Sequence, residues 1–452
     1  MNDRIMIASA TSGSGKTTIT IGLLEALKRM GIRPSSFKCG PDYIDPTFHR
    51  MVLGIDSNNL DSFFLPASGI RKVVMNSPGD IGVMEGVMGL YDGPFVDSDK
   101  GSGYDIARIT KTPVILVMNA EGVGRTILPL VKGVIAEDRA HLIKGIIFNR
   151  MSRSFYDRIR PYIEGEIAKR RSDIRILGCI PRSDVFGIDD IHLGLKRPDD
   201  DRAFLKKIGK IADIVSDSVD VDAICKIAGS ADLIRAGRGS TSGKRRAGKR
   251  SLRLAVAKDN AFYFYYGENL KMFENLGVDI VFFSPVSDDK LPDGISGILI
   301  GGGYPELYLP QLSANASMLK SVRDAIRSGI PSLAECGGFM YLHDAIKDIN
   351  GTSYPMVGAI DATCEDMHHP VNFGYVETDQ GMKGHEFHYY DTTFRGDSVP
   401  LTKVSTGRKY RDMIAGDNFM WGFPHFYYPS SPDFVKRFVE KMREYEAAGD
   451  EK

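Results

Sequence analysis

The chain has 452 residues, enough for about three average domains or two large ones. Its 58 Lys+Arg balance 58 Asp+Glu, so the zero formal net charge removes any global argument for a nucleic-acid or membrane partner, though not for a local basic site. The five cysteines, at 39, 179, 225, 336 and 364 with no CxxC pair, are too sparse for a disulfide scaffold, and no run approaches the roughly 18 apolar residues of a membrane span.

Met1-Asn2-Asp3-Arg4, followed by only a short apolar run, does not read as a secretory leader. A cytoplasmic protein is therefore expected. The 48 glycines, many at expected strand ends, favour an α/β enzyme whose site lies on loops.

Taken in chain order, Ile5–Ala8 reads as a strand that runs into a glycine loop and then a helix, Thr17 to Met30. The helix has apolar residues at 19, 23, 24 and 27, one buried face. The loop reads Ala10-Thr11-Ser12-Gly13-Ser14-Gly15-Lys16-Thr17, a P-loop with Ala10 in place of its first glycine. Its backbone N–H groups can cradle phosphate, Lys16 can reach the β/γ-phosphates, and Thr17 can offer a hydroxyl to Mg²⁺. Gly13, Ser14, Gly15, Lys16, Thr17 and Thr18 are the ATP-binding candidates.

Apolar runs at 81–84, 113–118, 143–148 and 174–180 suggest further parallel strands with helical crossovers. Acids follow two early runs. Lys38-Cys39-Gly40-Pro41-Asp42-Tyr43-Ile44-Asp45-Pro46 places two aspartates on a turn bracketed by prolines, and Glu85 to Asp92 follows the run at 81–84. Parallel strands deliver the loops at their carboxyl ends to one crevice, so Asp42, Asp45, Glu85 and Asp92 should gather beside the phosphate loop. Such a group suits Mg²⁺, for which Thr17, Asp45 and Glu85 are the candidates. It also suits a second substrate that accepts phosphate.

The stretch 235–250 is rich in Gly, Ser and basic residues, has no apolar period, and reads as a linker. A second α/β series follows, with strands expected at 252–257, 278–283, 297–300 and 331–334 and helices at about 266–276 and 313–328. Ala334-Glu335-Cys336-Gly337-Gly338 resembles a nucleophile elbow, in which a thiol on a strand-to-helix turn is exposed for attack. The upstream triplet Gly301-Gly302-Gly303 also follows a strand. Backbone N–H groups of Gly302, Gly303 and Gly337 could form an oxyanion hole. His425 is a candidate general base. Cys364, His368 and His369 lack a second ligand pair at zinc spacing. Cys39, Cys179 and Cys225, Trp421 and the run 262–266 read as packing.

GGGYPE, then CGG, then a late histidine resembles the class I glutamine amidotransferases, in which the cysteine attacks the glutamine side-chain amide and releases ammonia. That family's usual acid lies two residues beyond the histidine, where this chain has Tyr427. Gly384-His385-Glu386-Phe387-His388-Tyr389 is a further candidate for an orienting or glutamine-binding group. An ammonia source joined to an ATP site points to an amidoligase.

KCGPDYIDPTFH (38–49), NLDSFF (59–64), MEGVMGLYDG (84–93), AECGGFMYL (334–342), GHEFHY and PHFYY together resemble the cobyrinate a,c-diamide synthase family over nearly the whole chain. The resemblance implies a dethiobiotin-synthetase-like P-loop domain over 1–234, a linker over 235–250 and a class I glutamine amidotransferase domain over 251–452. It implies ATP, Mg²⁺, L-glutamine and a corrinoid carboxylate as small-molecule reactants, with no nucleic acid and no membrane, and it leaves a homodimer open. Carried over, Cys336 is the nucleophile, His425 assists it, and Lys38, Asp42, Asp45 and Asp92 handle substrate. Two alternatives stand. One is the related nickel-sirohydrochlorin a,c-diamide synthase. The other is a P-loop regulatory ATPase with an inactive amidotransferase module.

Overall fold

The computed structural model describes residues 2–186, 202–235 and 252–450. The expected linker, apart from Arg235, lies outside the described residues. The chain divides into two compact units, Met1–Gly239 and Ser240–Lys452.

In the first unit, the described residues form a seven-stranded parallel sheet in the order β3-β2-β4-β1-β5-β6-β7. The strands are β1 (Asp3–Ser9), β2 (Pro34–Cys39), β3 (Ser57–Leu60), β4 (Ile81–Glu85), β5 (Val114–Asn119), β6 (Ile143–Asn149) and β7 (Arg175–Ile180). β1 lies inside the sheet, and its side chains divide by strand period between two cores. Met6 and Ala8 join the core on one face, Ile5 and Ile7 the other. That two-sided burial is why the strands read as continuous apolar runs.

Helix α1 (Lys16–Arg29) buries Ile19, Leu23, Leu24 and Leu27, the expected face. Gly22 lets it approach the helix Arg202–Ser218, because a Cβ there would lie 2.6 Å from Val215 Cγ2.

The run at 81–84 is the fourth strand in the chain, because the polar segment Ser57–Leu60, which has no apolar run, forms the sheet edge before it. One expectation needs correction. Asp45 lies in the first turn of helix α2 (Ile44–Met51), not on an isolated turn; Pro46 is tolerated there because the first turn needs no N–H from it.

In the second unit, a six-stranded sheet runs β10-β8-β11-β13-β23-β22. β8 (Leu252–Ala257), β10 (Val278–Phe283), β11 (Gly297–Ile300) and β13 (Ser332–Glu335) fall where the apolar runs lie. These four and β23 (Phe419–Gly422) pair in parallel, and β22 (Ile414–Ala415) adds an antiparallel edge. The expected helix at 313–328 is two helices, Leu309–Ala314 and Ala316–Arg327, with the Asn315 side chain capping the second.

Much of 343–426 is not a continuation of the α/β series. Its residues add a five-stranded sheet, β21-β20-β17-β18-β24, whose pairings are antiparallel. Within it β17 is Asn372–Thr378, β18 is Lys383–His388, β20 is Val399–Lys403, β21 is Lys409–Asp412 and β24 is His425–Phe426. Trp421 is packing, as expected: it stacks on Phe419 at 4.4 Å, and its indole N–H donates to Ser332 Oγ at 3.1 Å.

Candidate functional site

The first site lies at the carboxyl ends of β1, β2 and β4. Gly13 and Gly15 adopt φ of 71° and 88°, which turns the loop between β1 and α1 at little cost only without a Cβ. Asn149, at the end of β6, supports the loop from beneath. Its amide donates to the Ser14 carbonyl at 2.8 Å, and a Cβ on Gly15 would lie 2.3 Å from that nitrogen. No side chain caps the start of α1, which leaves its first N–H groups for an anion. Thr18 follows in the first turn.

The buried Lys16 ammonium donates to Ser9 Oγ at 2.9 Å and to the Met88 carbonyl at 2.6 Å. Burial lowers its pKa to about 8, against the pull of Glu85. Lys16 thus bridges the P-loop to the loop after β4.

Glu85 is the last residue of β4 and pairs in register with Lys38 of β2. The Lys38 ammonium contacts Glu85 Oε1 at 2.7 Å, Asp42 Oδ2 at 3.5 Å and Asp45 Oδ2. Burial would depress this lysine, but Asp45, Glu85 and Asp42 outweigh it and hold its pKa well above the ordinary value. Burial and the neighbouring Asp45 push Asp42 up, against Lys38.

Three of the four acids therefore gather as expected, around an ammonium. Asp92 does not join them by a hydrogen bond. It is exposed, and its Oδ2 accepts the Gly89 N–H at 2.8 Å, bracing the turn.

The donors fit a nucleotide-borne cation. Thr17 Oγ1 donates to Glu85 Oε1 at 2.6 Å, and Glu85 Oε2 is buried without a hydrogen-bond partner. Among the described residues no group of three or more His, Cys, Asp or Glu could hold a metal ion by itself. Mg²⁺ held with only one or two carboxylates, water and phosphates needs no such group. The Cys364, His368 and His369 set is dispersed, with Cys364 buried and both histidines exposed.

The second site is built on β13. Cys336 has φ 51° and ψ −110° at the start of the helix Gly337–Tyr341. For a residue other than glycine this is a strained elbow. Its backbone N–H donates to the Gly422 carbonyl at 2.9 Å, which fixes the turn. Gly338 must lack a side chain, because a Cβ would lie 2.1 Å from the Ile300 carbonyl.

The glycine triplet is just as crowded. A Cβ on Gly301 would meet the Tyr265 ring at 2.5 Å. A Cβ on Gly302 would lie 2.3 Å from His425 Cε1, 2.8 Å from His425 Nε2 and 3.5 Å from Cys336 Cβ. The imidazole and the Cys336 side chain thus converge on the same face of Gly302. The position of a Cβ on Gly337 is 3.2 Å from the Gly303 backbone nitrogen, so two of the three proposed oxyanion donors lie side by side.

Burial, with Glu306 nearby, pushes the Cys336 thiol up to about 12, while the Gly337 N–H opposes the shift. Burial, with His385 and His388, lowers His425 to about 3. His385 pairs in register with His425, so the GHEFHY segment does border the site.

Matches to known families follow this division. Residues 5–189 match the CobQ/CobB/MinD/ParA nucleotide binding domain, and residues 253–420 match the CobB/CobQ-like glutamine amidotransferase domain. A relative from Picrophilus torridus, named cobyrinate a,c-diamide synthase, is 39% identical over 450 residues, which is 96% of this chain and 98% of the relative.

The chain belongs to the cobyrinate a,c-diamide synthase family.

Relatives of the same name from Priestia megaterium and Thermoplasma volcanium are 36% and 35% identical, each over 98% of this chain and 97% and 98% of their own. For a member of the cobyrinate a,c-diamide synthase family, the sequence reading passed over three residues at these sites. Ser9 and Asn149 hold Lys16 and the P-loop, and both end strands that run into the site. Glu335 directly precedes Cys336, and its Oε2 lies 3.8 Å from His425 Nδ1. An acid next to an elbow cysteine was the available signal.

Proposed function

We propose that this protein amidates the a and c acetate carboxylates of cobyrinate, with ATP and with ammonia released from L-glutamine. The observation that carries the reading is the convergence of Cys336 and His425 on one face of Gly302 in a chain that also has a P-loop beside Lys38 and three acids. Full-length similarity to relatives bearing the synthase name supports the substrate assignment. On this reading residues 1–234 are the amidoligase half, 235–250 the linker and 251–452 the glutaminase half.

In the glutaminase half, Cys336 Sγ attacks the amide carbon of glutamine as His425 takes the thiol proton. N–H groups of Gly302, Gly303 and Gly337 would receive the charge that develops on the carbonyl oxygen. His425 then returns the proton to the leaving nitrogen, ammonia departs, and water hydrolyses the thioester to glutamate.

In the amidoligase half, Gly13 to Thr18 bind the ATP phosphates. A substrate carboxylate takes the γ-phosphoryl group, giving ADP and an acyl phosphate. Ammonia attacks that carbonyl, and phosphate leaves with the amide formed. Thr17 and Glu85, with Asp45 nearby, would hold Mg²⁺, which would supply charge neutralisation at the phosphates. Lys38, Asp42 and Asp45 would orient the incoming carboxylate, and Asp92 would shape the loop beside it.

The test is to incubate the protein with ATP, Mg²⁺ and glutamine, and with either cobyrinic acid or nickel sirohydrochlorin, then weigh the products. Conversion of two carboxylates in cobyrinic acid alone is the expected result. Conversion of nickel sirohydrochlorin alone would move the protein to that branch. Unchanged mass in both would reject the amidoligase reading.

A further inference from the structure

The acid that class I amidotransferases carry two residues beyond the histidine is Tyr427 here, a fully buried residue with no carboxylate. The structure brings another acid to the same imidazole from a different strand. Glu335 ends β13, and its Oε2 lies 3.8 Å from His425 Nδ1. Its other oxygen is held in place: Oε1 accepts the Tyr428 hydroxyl at 2.8 Å and the Phe426 N–H at 3.4 Å. Both donors follow His425 on the segment that carries it, so the carboxylate and the imidazole are fixed to one frame.

The two edges of the ring face different groups. Cε1 and Nε2 lie against the face of Gly302 that Cys336 Cβ also borders, and Nδ1 faces Glu335. This is the polarity of a nucleophile–base–orienter relay, in which the acid fixes the tautomer and stabilises the imidazolium that forms. At 3.8 Å the contact is longer than a hydrogen bond, a state in which catalytic contacts are often found before substrate binds.

We infer that Glu335 is the positioning residue for His425, supplying from the residue before the nucleophile the carboxylate that Tyr427 does not. This rests on the glutaminase reading of Cys336 and His425. When Cys336 passes its proton to His425, Glu335 stabilises the charged ring. Burial drives Glu335 up to about 8 against the hydrogen bonds from Tyr428 and Phe426, and an imidazolium beside it would bring it down again. Other charged or titratable groups face the same pair. His385 and His388 lower His425, Glu306 and Glu386 raise Cys336, and Tyr428 lowers Glu335.

The test is Glu335→Gln in the full chain. Glutamine at this position keeps an acceptor for Tyr428 and Phe426, so a purely structural role would survive. The expected result is a fall in kcat for glutamine hydrolysis on the order of 10²- to 10⁴-fold, with KM for glutamine and ammonia-driven ATP turnover little changed. The pH dependence of Cys336 alkylation by iodoacetamide separates the mechanisms. Acting on the thiol through space, Glu335 raises it, so losing the charge would move alkylation to lower pH. Acting through His425, its loss moves alkylation to higher pH, which is the shift expected.

Near-normal hydrolysis, or a shift to lower pH, overturns the inference. If Glu335→Gln does not fold, Tyr428→Phe unpins the same carboxylate and should cost about tenfold in kcat. Histidine ¹⁵N NMR of the unmodified protein should then show the Nδ1–H tautomer of His425. The Nε2–H tautomer would count against it. Glutaminase activity that persists in Cys336→Ala would instead reject the underlying reading.

Discussion

Gly302→Ala tests the glutaminase site with a single methyl group. The added Cβ would sit 2.3 Å from His425 Cε1 and 2.8 Å from Nε2, and at an ordinary 3.5 Å from Cys336 Cβ. The imidazole must therefore give way by about 1 Å to restore van der Waals contact. It has little room, because β24 pairs in register with β18 through His425 and His385, and the ring is buried. Overpacking of this kind costs about 1–3 kcal/mol in stability, about 2–4 °C in Tm for each kcal/mol in a unit of this size. A 1 Å displacement of a reacting group costs on the order of 10²-fold in rate. The assay compares ATP turnover driven by glutamine with turnover driven by ammonium chloride. Glutamine-driven turnover should fall about 10²-fold and ammonia-driven turnover should stay. Full glutamine-driven activity in a folded variant would refute the placement of the imidazole against Gly302.

Other consequences follow from the same geometry. Cys336→Ala should abolish glutamine-driven amidation and keep activity with added ammonia; a folded variant that ammonia cannot rescue would break the division of labour between the units. Lys16, lowered to about 8 by burial, is partly neutral in the free protein near that pH, and phosphates favour its ammonium form. Nucleotide binding at pH 8 should therefore take up about half a proton, seen as a buffer-dependent calorimetric heat, and no uptake would contradict the placement of Lys16. Lys38→Ala strands buried Asp45 and Glu85 without their cation and should cost about 3–5 kcal/mol in urea unfolding at neutral pH. A loss below about 1 kcal/mol would contradict the burial of this ion cluster.

The parallel cores were readable in the sequence because burial on both faces leaves continuous apolar runs, as in β1, β5 and β6. The phosphate loop and the cysteine elbow were readable because each needs glycine where backbone or side chains crowd. β3 was missed for the opposite reason. Its residues Ser57, Asn58 and Asn59 are polar yet buried, and their side chains hydrogen-bond to Ser36, Asp56 and the Gly40 and Asp42 carbonyls. A strand satisfied by side-chain hydrogen bonds has no apolar signature. The antiparallel sheet around β17 and β18 was missed because its buried positions include Asn372, Thr378, His385, Glu386 and His388, while Phe373 and Phe387 are exposed.

The acids after β2 and β4 could be expected to converge, because strand ends share a crevice. That they surround Lys38 could not be read, because it depends on the register that sets Lys38 beside Glu85. The approach of Glu335 to His425 is likewise tertiary. The two residues belong to different sheets, and no spacing in the chain links them.

The central claim is that nitrogen from glutamine enters a corrinoid carboxylate at the expense of ATP. Its most direct test supplies glutamine labelled with ¹⁵N in the side-chain amide, together with ATP, Mg²⁺ and cobyrinic acid, and follows the label by mass spectrometry. The account predicts a diamide carrying two labelled nitrogens, and none from the same glutamine when Cys336 is alanine. Labelled ammonia released into solution, with cobyrinic acid unchanged while ATP is consumed, would contradict it.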